Sequence, residues 1–259
     1  MKVIWTCILL VALLLPHSIH ADEQRFLVLT ENYPPYNYQE HGQVIGISTD
    51  LLMRIFEMCN NPTQRKDIQL LPWKRAYQDF FRESNTLIYS TVRTEEREAL
   101  FKWVGPIAHT RIGLVARADT EIKINSIQDI HKYRIGVVAE DVSESILKGI
   151  GIPSEIMEYA NTPWSNMRKL QHGRIDMFAY DIDAAISIGK ALGFKNNSFK
   201  LVHLLGQHKL YYAFHKNTPD QQIQKFQRAL DTLKLRDGSG ESEHSRIFDK
   251  YFNEMVHSE

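Results

Sequence analysis

From Phe26 onward the apolar residues of this chain change spacing in alternation, every second residue and then every third or fourth, and the alternation occurs in two successive sets. The first set begins with the β-rich run Phe26 to Thr30 and the Pro34-Pro35 break. A helix follows, with Ser48 or Thr49 as its cap and Ile47, Leu51, Leu52, Ile55, Phe56 and Cys59 on one face. A second helix is predicted over 73–82, then strands over 86–91 and 112–117. The second set starts after Asp129, with strands over 133–139, 155–159, 175–180 and 199–204. Its helices begin near Val142, end near His172 ahead of Gly173, and cover 184–192. A strand over 210–214 and helices over 220–235 and 243–252 complete the chain, the last two separated by Asp237-Gly238-Ser239-Gly240. Strands alternating with helices predict mostly parallel sheets covered on both faces. Two sets predict two lobes.

The N-terminus sets the compartment. Lys2, the apolar run from Val3 to Leu15, and Ala21 after Pro16, His17 and Ser18 read as a signal peptide over residues 1–21, with cleavage after Ala21. The run is shorter than the ~18 residues that a membrane span needs, so a periplasmic protein is expected rather than an anchored one. Cys7 leaves with that segment. Cys59 then stands alone, so no internal disulfide is expected and the core must hold the fold.

The chain carries 31 basic and 31 acidic side chains, and removing Lys2 leaves 30 against 31, a net charge of about −1. That balance gives no electrostatic footprint for nucleic acid or an anionic membrane. Recognition is expected in a pocket, by a monomer. His109, His131, His172, His203, His208 and His215 lack the close paired spacing of a zinc site, so neither metal nor cofactor is expected.

Several local motifs stand in a telling order: Glu31-Asn32-Tyr33-Pro34-Pro35-Tyr36 after the first strand, Gly46-Ile47-Ser48-Thr49-Asp50-Leu51 opening the first helix, and Ser90-Thr91-Val92-Arg93-Thr94-Glu95-Glu96-Arg97 after a strand. Tyr133-Arg134-Ile135-Gly136-Val137 and Gly173-Arg174-Ile175-Asp176 follow. Each alone is weak. Together, from Arg25 to Phe252, they resemble the family 3 periplasmic solute-binding proteins, the polar amino-acid receptors of ABC importers. The resemblance implies an α/β fold of two doubly wound lobes joined by two hinge strands, the type II or Venus-flytrap arrangement. Carried onto this chain, the crossings fall near Leu114 to Ala118 and near Leu204 to Leu210. Lobe one then comprises residues 22–115 plus 207–259, and lobe two residues 116–206.

Residues just after strands are the ones to inspect, because such sheets bind ligands at the carboxyl ends of their strands and pockets favour domain interfaces. Arg97 matches the family arginine that holds a ligand α-carboxylate, a task its guanidinium fork suits. Its plainer role is a solvated residue in the charged run 93–98. Asp181 matches the acid that pairs with the ligand ammonium, and it can equally cap the helix that follows, unless Asp183 fills that place. Glu31 can share the ammonium or select a basic side chain. Tyr33, Tyr36 and Trp73 match aromatic walls, although each can simply be core. Ser90 and the backbone at Val92 add hydrogen bonds.

One departure stands out. Where many members have a small Gly-Ser-Thr turn, this chain has Glu140-Asp141-Val142-Ser143. Asp141 and Glu144 make a capping-box pattern, and two acids at a helix start repel a carboxylate that the open amides would welcome. Either the acids point away and the Val142 and Ser143 amides meet the ligand, or the ligand is not a simple α-amino acid. The expected action is capture by hinge closure and delivery to an ABC permease, without catalysis. The alternatives are a dehydratase on the same fold, with Glu31 or Asp181 as acid or base, and a sensor that works without a transporter.

Overall fold

The computed structural model describes residues 25–195 and 197–257. The signal-peptide expectation for residues 1–21 lies outside them. β1 (Leu27–Thr30), a short hairpin of β2 (Tyr38–Glu40) and β3 (Gln43–Ile45), α1 (Ile47–Met58), β4 (Ile68–Leu70), α2 (Trp73–Phe80), β5 (Thr86–Val92) and α3 (Glu95–Glu98) open the chain. β6 (Phe101–Arg117) leads to α4 (Ile127–Ile130), β7 (Ile135–Val138), α5 (Val142–Gly149), β8 (Met157–Ala160), α6 (Pro163–Gln171), β9 (Met177–Asp181) and α7 (Ile182–Ala191). β10 (Phe199–His215) returns to α8 (Asp220–Leu233) and α9 (Glu243–His257).

Two lobes share one hydrogen-bonded sheet of order β4-β1-β5-β10-β6-β9-β7-β8. In the first lobe β1 pairs in parallel with β4 and β5, and in the second β7 pairs in parallel with β8 and β9. β6 and β10 run antiparallel along almost their whole lengths and link the halves as hinge strands. β10 meets β5 over Leu210–Phe214, while β6 meets β9 over Ile112–Val115. The apolar spacing showed these strands only as fragments. Leu204-Leu205-Gly206-Gln207-His208 breaks the alternation of β10, and Gly105-Pro106 breaks that of β6.

Gly105–Ile107 bulges out opposite Tyr211, whose neighbours pair with Val104 and Ala108. A Cβ on Gly105 would lie 2.3 Å from the Tyr211 ring. The Gln227 side chain bonds the Gly105 N–H and C=O at 2.9 and 3.0 Å, replacing the lost ladder partners.

Phe26, Phe56, Phe214 and Phe226 form the aromatic centre of the first lobe's core, with ring centroids 5.3 to 6.0 Å apart in the contacting pairs. Leu114, Ile135, Val137, Leu147, Met157 and Met177 belong to a separate cluster in the second lobe. Cys59 is buried, its Sγ donating to Lys225 O at 3.8 Å. The cap expected of Ser48 or Thr49 is instead Gly46, because α1 begins at Ile47. Those two hydroxyls turn inward to Ser90 Oγ and Tyr89 Oη, at 2.9 and 2.8 Å.

Candidate functional site: a closed cleft lined with acids

Glu31, Tyr33, Trp73, Ser90, Val92, Arg97, Ile112, Asp141, Val142, Tyr180 and Asp181 surround one small cavity between the lobes, with a volume of about 20 Å³. Among the residues expected from the sequence, Tyr36 and Ser143 do not line it. Tyr36 is buried behind Tyr33, with ring centroids 4.9 Å apart and its hydroxyl donating to His109 O. Ile112 and Tyr180 are the lining residues not singled out beforehand, and Asp141 is an acid that the sequence leaves free to point either away from the ligand or toward it.

The turn after β1 places the first aromatic. Tyr33 N donates to Asn37 O at 2.6 Å and Tyr36 N to Tyr33 O at 2.9 Å, which folds the Pro34-Pro35 segment back on itself. Gly46 is required beside it, since φ is 119° and a Cβ would meet Tyr36 O at 2.5 Å. The Tyr33 ring then approaches Tyr180 of β9, 5.6 Å away, and Tyr180 stacks on Phe178 at 5.0 Å. Tyr180 is 2% exposed, and its hydroxyl has no hydrogen-bond partner.

Two residues in the left-handed region stand on the cleft's opposite lips, Ser90 with φ 58° and Glu140 with φ 64°. Strain of that kind concentrates at functional sites. Ser90 is the residue skipped in the register of β5 with β10, where Tyr211 opposes Thr91 and Tyr212 opposes Tyr89. Its hydroxyl thereby turns to Asn37 and Ser48. At Glu140 the unusual φ aims the main-chain carbonyl across the cleft. That oxygen accepts from Trp73 Nε1 at 2.8 Å and from Arg97 Nη2 at 3.2 Å. The Glu140 carboxylate meets Lys74 at 3.2 Å, at the outer edge.

Arg97 is not the solvated member of a charged run. It is 8% exposed, donates from Nη1 to Val92 O at 3.3 Å, and lies 5.4 Å from the ring centroids of both Trp73 and Tyr77. Holding several fixed donors beside ring faces is what a guanidinium does and an ammonium does not.

Asp141 faces the cavity, so the alternative in which both acids point away does not hold. It is the N-cap of α5, its Oδ1 accepting from Ser143 N at 2.9 Å and from Ser143 Oγ. The Ser143 amide is thus occupied within the protein. The predicted capping box is altered as well: Glu144 Oε2 accepts from Glu140 N at 2.7 Å, one residue before the cap. Asp181, 1% exposed, caps α7 by accepting from Ala184 N at 2.6 Å, and Thr110 Oγ1 donates to its other oxygen. Cap and cavity wall are therefore the same residue.

Burial raises all three cleft acids. Glu31 is pushed well up by burial and by the Asp141 charge, against the opposing pull of Arg97. Asp141 is raised by burial despite its Ser143 bonds and Arg97. Asp181 is raised to about 6 by burial, against the hydrogen bonds from Thr110 and Ala184. Among the described residues no group of three or more His, Cys, Asp or Glu side chains is placed to hold a metal ion.

Two lobes on paired hinge strands, with a polar cavity between them, define a binding protein of the flytrap class. The match to the family of bacterial extracellular solute-binding proteins, family 3, runs over residues 27–254, and the chain belongs to that family. No curated protein matches the chain. Among solved structures, a histidine kinase sensor domain with similarity to periplasmic binding proteins superposes with a TM-score of 0.76 at 17% identity, covering 89% of this chain and 97% of that one. The arginine-, lysine-, histidine-binding protein ArtJ of Geobacillus stearothermophilus gives 0.74 at 16% identity, covering 88% and 96%. The amino-acid transporter substrate-binding protein AbpA of Streptococcus pneumoniae, bound to L-arginine, gives 0.73 at 15% identity, covering 90% and 96%. These likenesses establish the fold. The family is one of solute-binding proteins, and among the described residues no helix is long and apolar enough to cross a membrane.

Proposed function

We propose that this chain captures a small polar solute, an amino acid or a related compound, between its lobes in the periplasm and hands it to an ABC permease. The observation that carries the reading is the Glu140 carbonyl, in the second lobe, held by Trp73 and Arg97 of the first over a cavity lined by acids and rings from both. A ligand touching both lobes binds the closed form better than the open one and so shifts the population toward it. Micromolar binding requires about −8 kcal/mol, a sum within reach of a few desolvated charge contacts and ring faces. The amino-acid-binding proteins of the same fold support the ligand class.

A second reading is favoured by the sensor-domain likeness: the closed form is presented to a membrane receptor instead of a permease. Calorimetric titration of the exported chain against a panel of amino acids, with small-angle scattering to follow closure, tests the shared step. Saturable binding with compaction is expected, and turnover of the titrant would overturn the reading in favour of an enzyme. Uptake of the bound solute by cells with and without the gene then separates import from sensing.

A further inference from the structure

Glu31 follows β1 in the first lobe and Asp141 precedes α5 in the second, yet both line the cavity between them, whose volume of about 20 Å³ has room for about one water molecule. Two carboxylates keep their charge in so dry a space only where other groups offset it. Arg97 of α3 is the one cation among the lining residues. β9 contributes Asp181 and the hydroxyl of Tyr180, which is 2% exposed and has no hydrogen-bond partner. The charges just outside are matched among themselves: Glu144 of α5 pairs with Lys148, the Glu140 carboxylate with Lys74, and Asp183 with Arg111. Within the cavity the acids are unequally provided for. Asp141 accepts from Ser143 N and Oγ, and Asp181 from Ala184 N and Thr110 Oγ1. Glu31, 6% exposed, has among the described residues only the Arg97 charge to favour its ionised form, against burial and the Asp141 charge.

Resting on the lobe motion invoked above but on no particular solute, we propose that closure takes up one proton from the solvent onto the Glu31–Asp141 pair, so that acid favours the closed form. With the lobes apart, both carboxyls regain water and ionise in the ordinary range. With the lobes together, a proton on Glu31 ends the like-charge repulsion and leaves Asp141 as an anion opposite Arg97. The Tyr180 hydroxyl, which otherwise has no partner, can accept from a protonated carboxyl in the same cavity. The closed form therefore holds the proton to a higher pH than the open form, where Glu31 keeps its ordinary 4.5. Closure gains as the pH falls through the raised value and gains nothing more below about 4.5. Within that window one proton per closure changes the ratio of closed to open chains about tenfold per pH unit. Capture of any solute in this cleft is then tighter in an acid medium than in a neutral one.

The test follows the radius of gyration of the purified chain by small-angle scattering from about pH 8 down to about pH 5, with no amino acid added. We expect the chain to compact as the pH falls. Glu31→Gln, which mimics the protonated acid, should be compact across the whole range and lose the dependence. Asp141→Asn should do the same while retaining a good cap. If Asp141→Asn fails to fold, Glu31→Gln decides alone, because Glu31 caps no helix among those described. Asp181 lines the same cavity and titrates at about 6, so Asp181→Asn is measured beside them and should keep a pH-dependent compaction. A flat profile in the parent chain, a parent-like profile in Glu31→Gln, or a dependence abolished by Asp181→Asn alone would overturn the proton rule. Calorimetric titration with the common amino acids at both ends of the range separates this rule from the binding reading. Saturable binding of equal strength at the two ends sinks the proton rule and leaves capture standing. Compaction by acid without binding of any amino acid upholds the proton rule and counts against the amino-acid reading.

Discussion

The indole Nε1 of Trp73, on the first lobe, donates to the main-chain carbonyl of Glu140, on the second, at 2.8 Å. This bond latches the closed form, and the left-handed backbone at Glu140 is what turns the acceptor toward it. Trp73→Phe keeps an aromatic ring beside Arg97 and removes only the donor. Ligand affinity should fall about fivefold to tenfold, the worth of a hydrogen bond of about 1 kcal/mol, and titration calorimetry reads it directly.

Arg97→Lys keeps the charge and loses the geometry. One ammonium cannot reach the Val92 and Glu140 carbonyls while presenting a plane to the rings of Trp73 and Tyr77. We expect a loss of about 10- to 100-fold in affinity, roughly 1.4 to 2.8 kcal/mol, together with a more open solution form in small-angle scattering. Unchanged affinity would show that charge alone matters there.

Asp181 joins a capping role to a buried charge, and pH separates them. Its folded value of about 6 lies above the ordinary 3.8, so between these values the unfolded chain binds fewer protons than the folded one. Stability from this group is therefore present below pH 3.8 and falls as pH rises through about 6, by up to about 3 kcal/mol in all. Asp181→Asn retains a helix cap and removes the ionisation. The variant should match the parent near pH 4 and exceed it near pH 7 in urea denaturation, whereas Asp181→Ala should lie about 1 kcal/mol below Asp181→Asn at both from the missing cap.

Phe226 of α8 contacts Phe26, Phe56 and Phe214, with centroids 5.8, 5.7 and 5.3 Å away. Phe226→Ala should cost about 3 to 5 kcal/mol, the usual range for a buried aromatic. A fall in the urea midpoint at unchanged slope would confirm loss of packing in the first lobe, and a shift below about 1 kcal/mol would contradict it.

Much of the site was legible because it lies in short motifs directly after strands. Glu31 and Tyr33 follow β1, Ser90 and Val92 stand at the end of β5 with Arg97 just beyond it, Asp181 ends β9, and all reach one cavity. Tyr180 was not distinguishable from its neighbours, since every residue of β9 is buried and nothing in a uniformly buried strand marks which side chain faces a cleft. Asp141 was ambiguous for a different reason. An N-cap acid can point to solvent or inward with the same local hydrogen bond, and only the approach of the other lobe decides its surroundings.

From the order of residues alone came the two-lobed α/β plan, because apolar periodicity and turn chemistry act over a few residues at a time, and the resemblance carried by short motifs added many of the positions that line the cavity. Tertiary structure alone decided that 199–215 is one strand rather than two, since its ladder to β6 spans the break around Gly206. It also decided that Arg97 donates to the protein's own carbonyls and that three acids line one cavity. Those outcomes depend on contacts between segments tens of residues apart, and burial, which sets the cost of a charge, exists only once those segments meet.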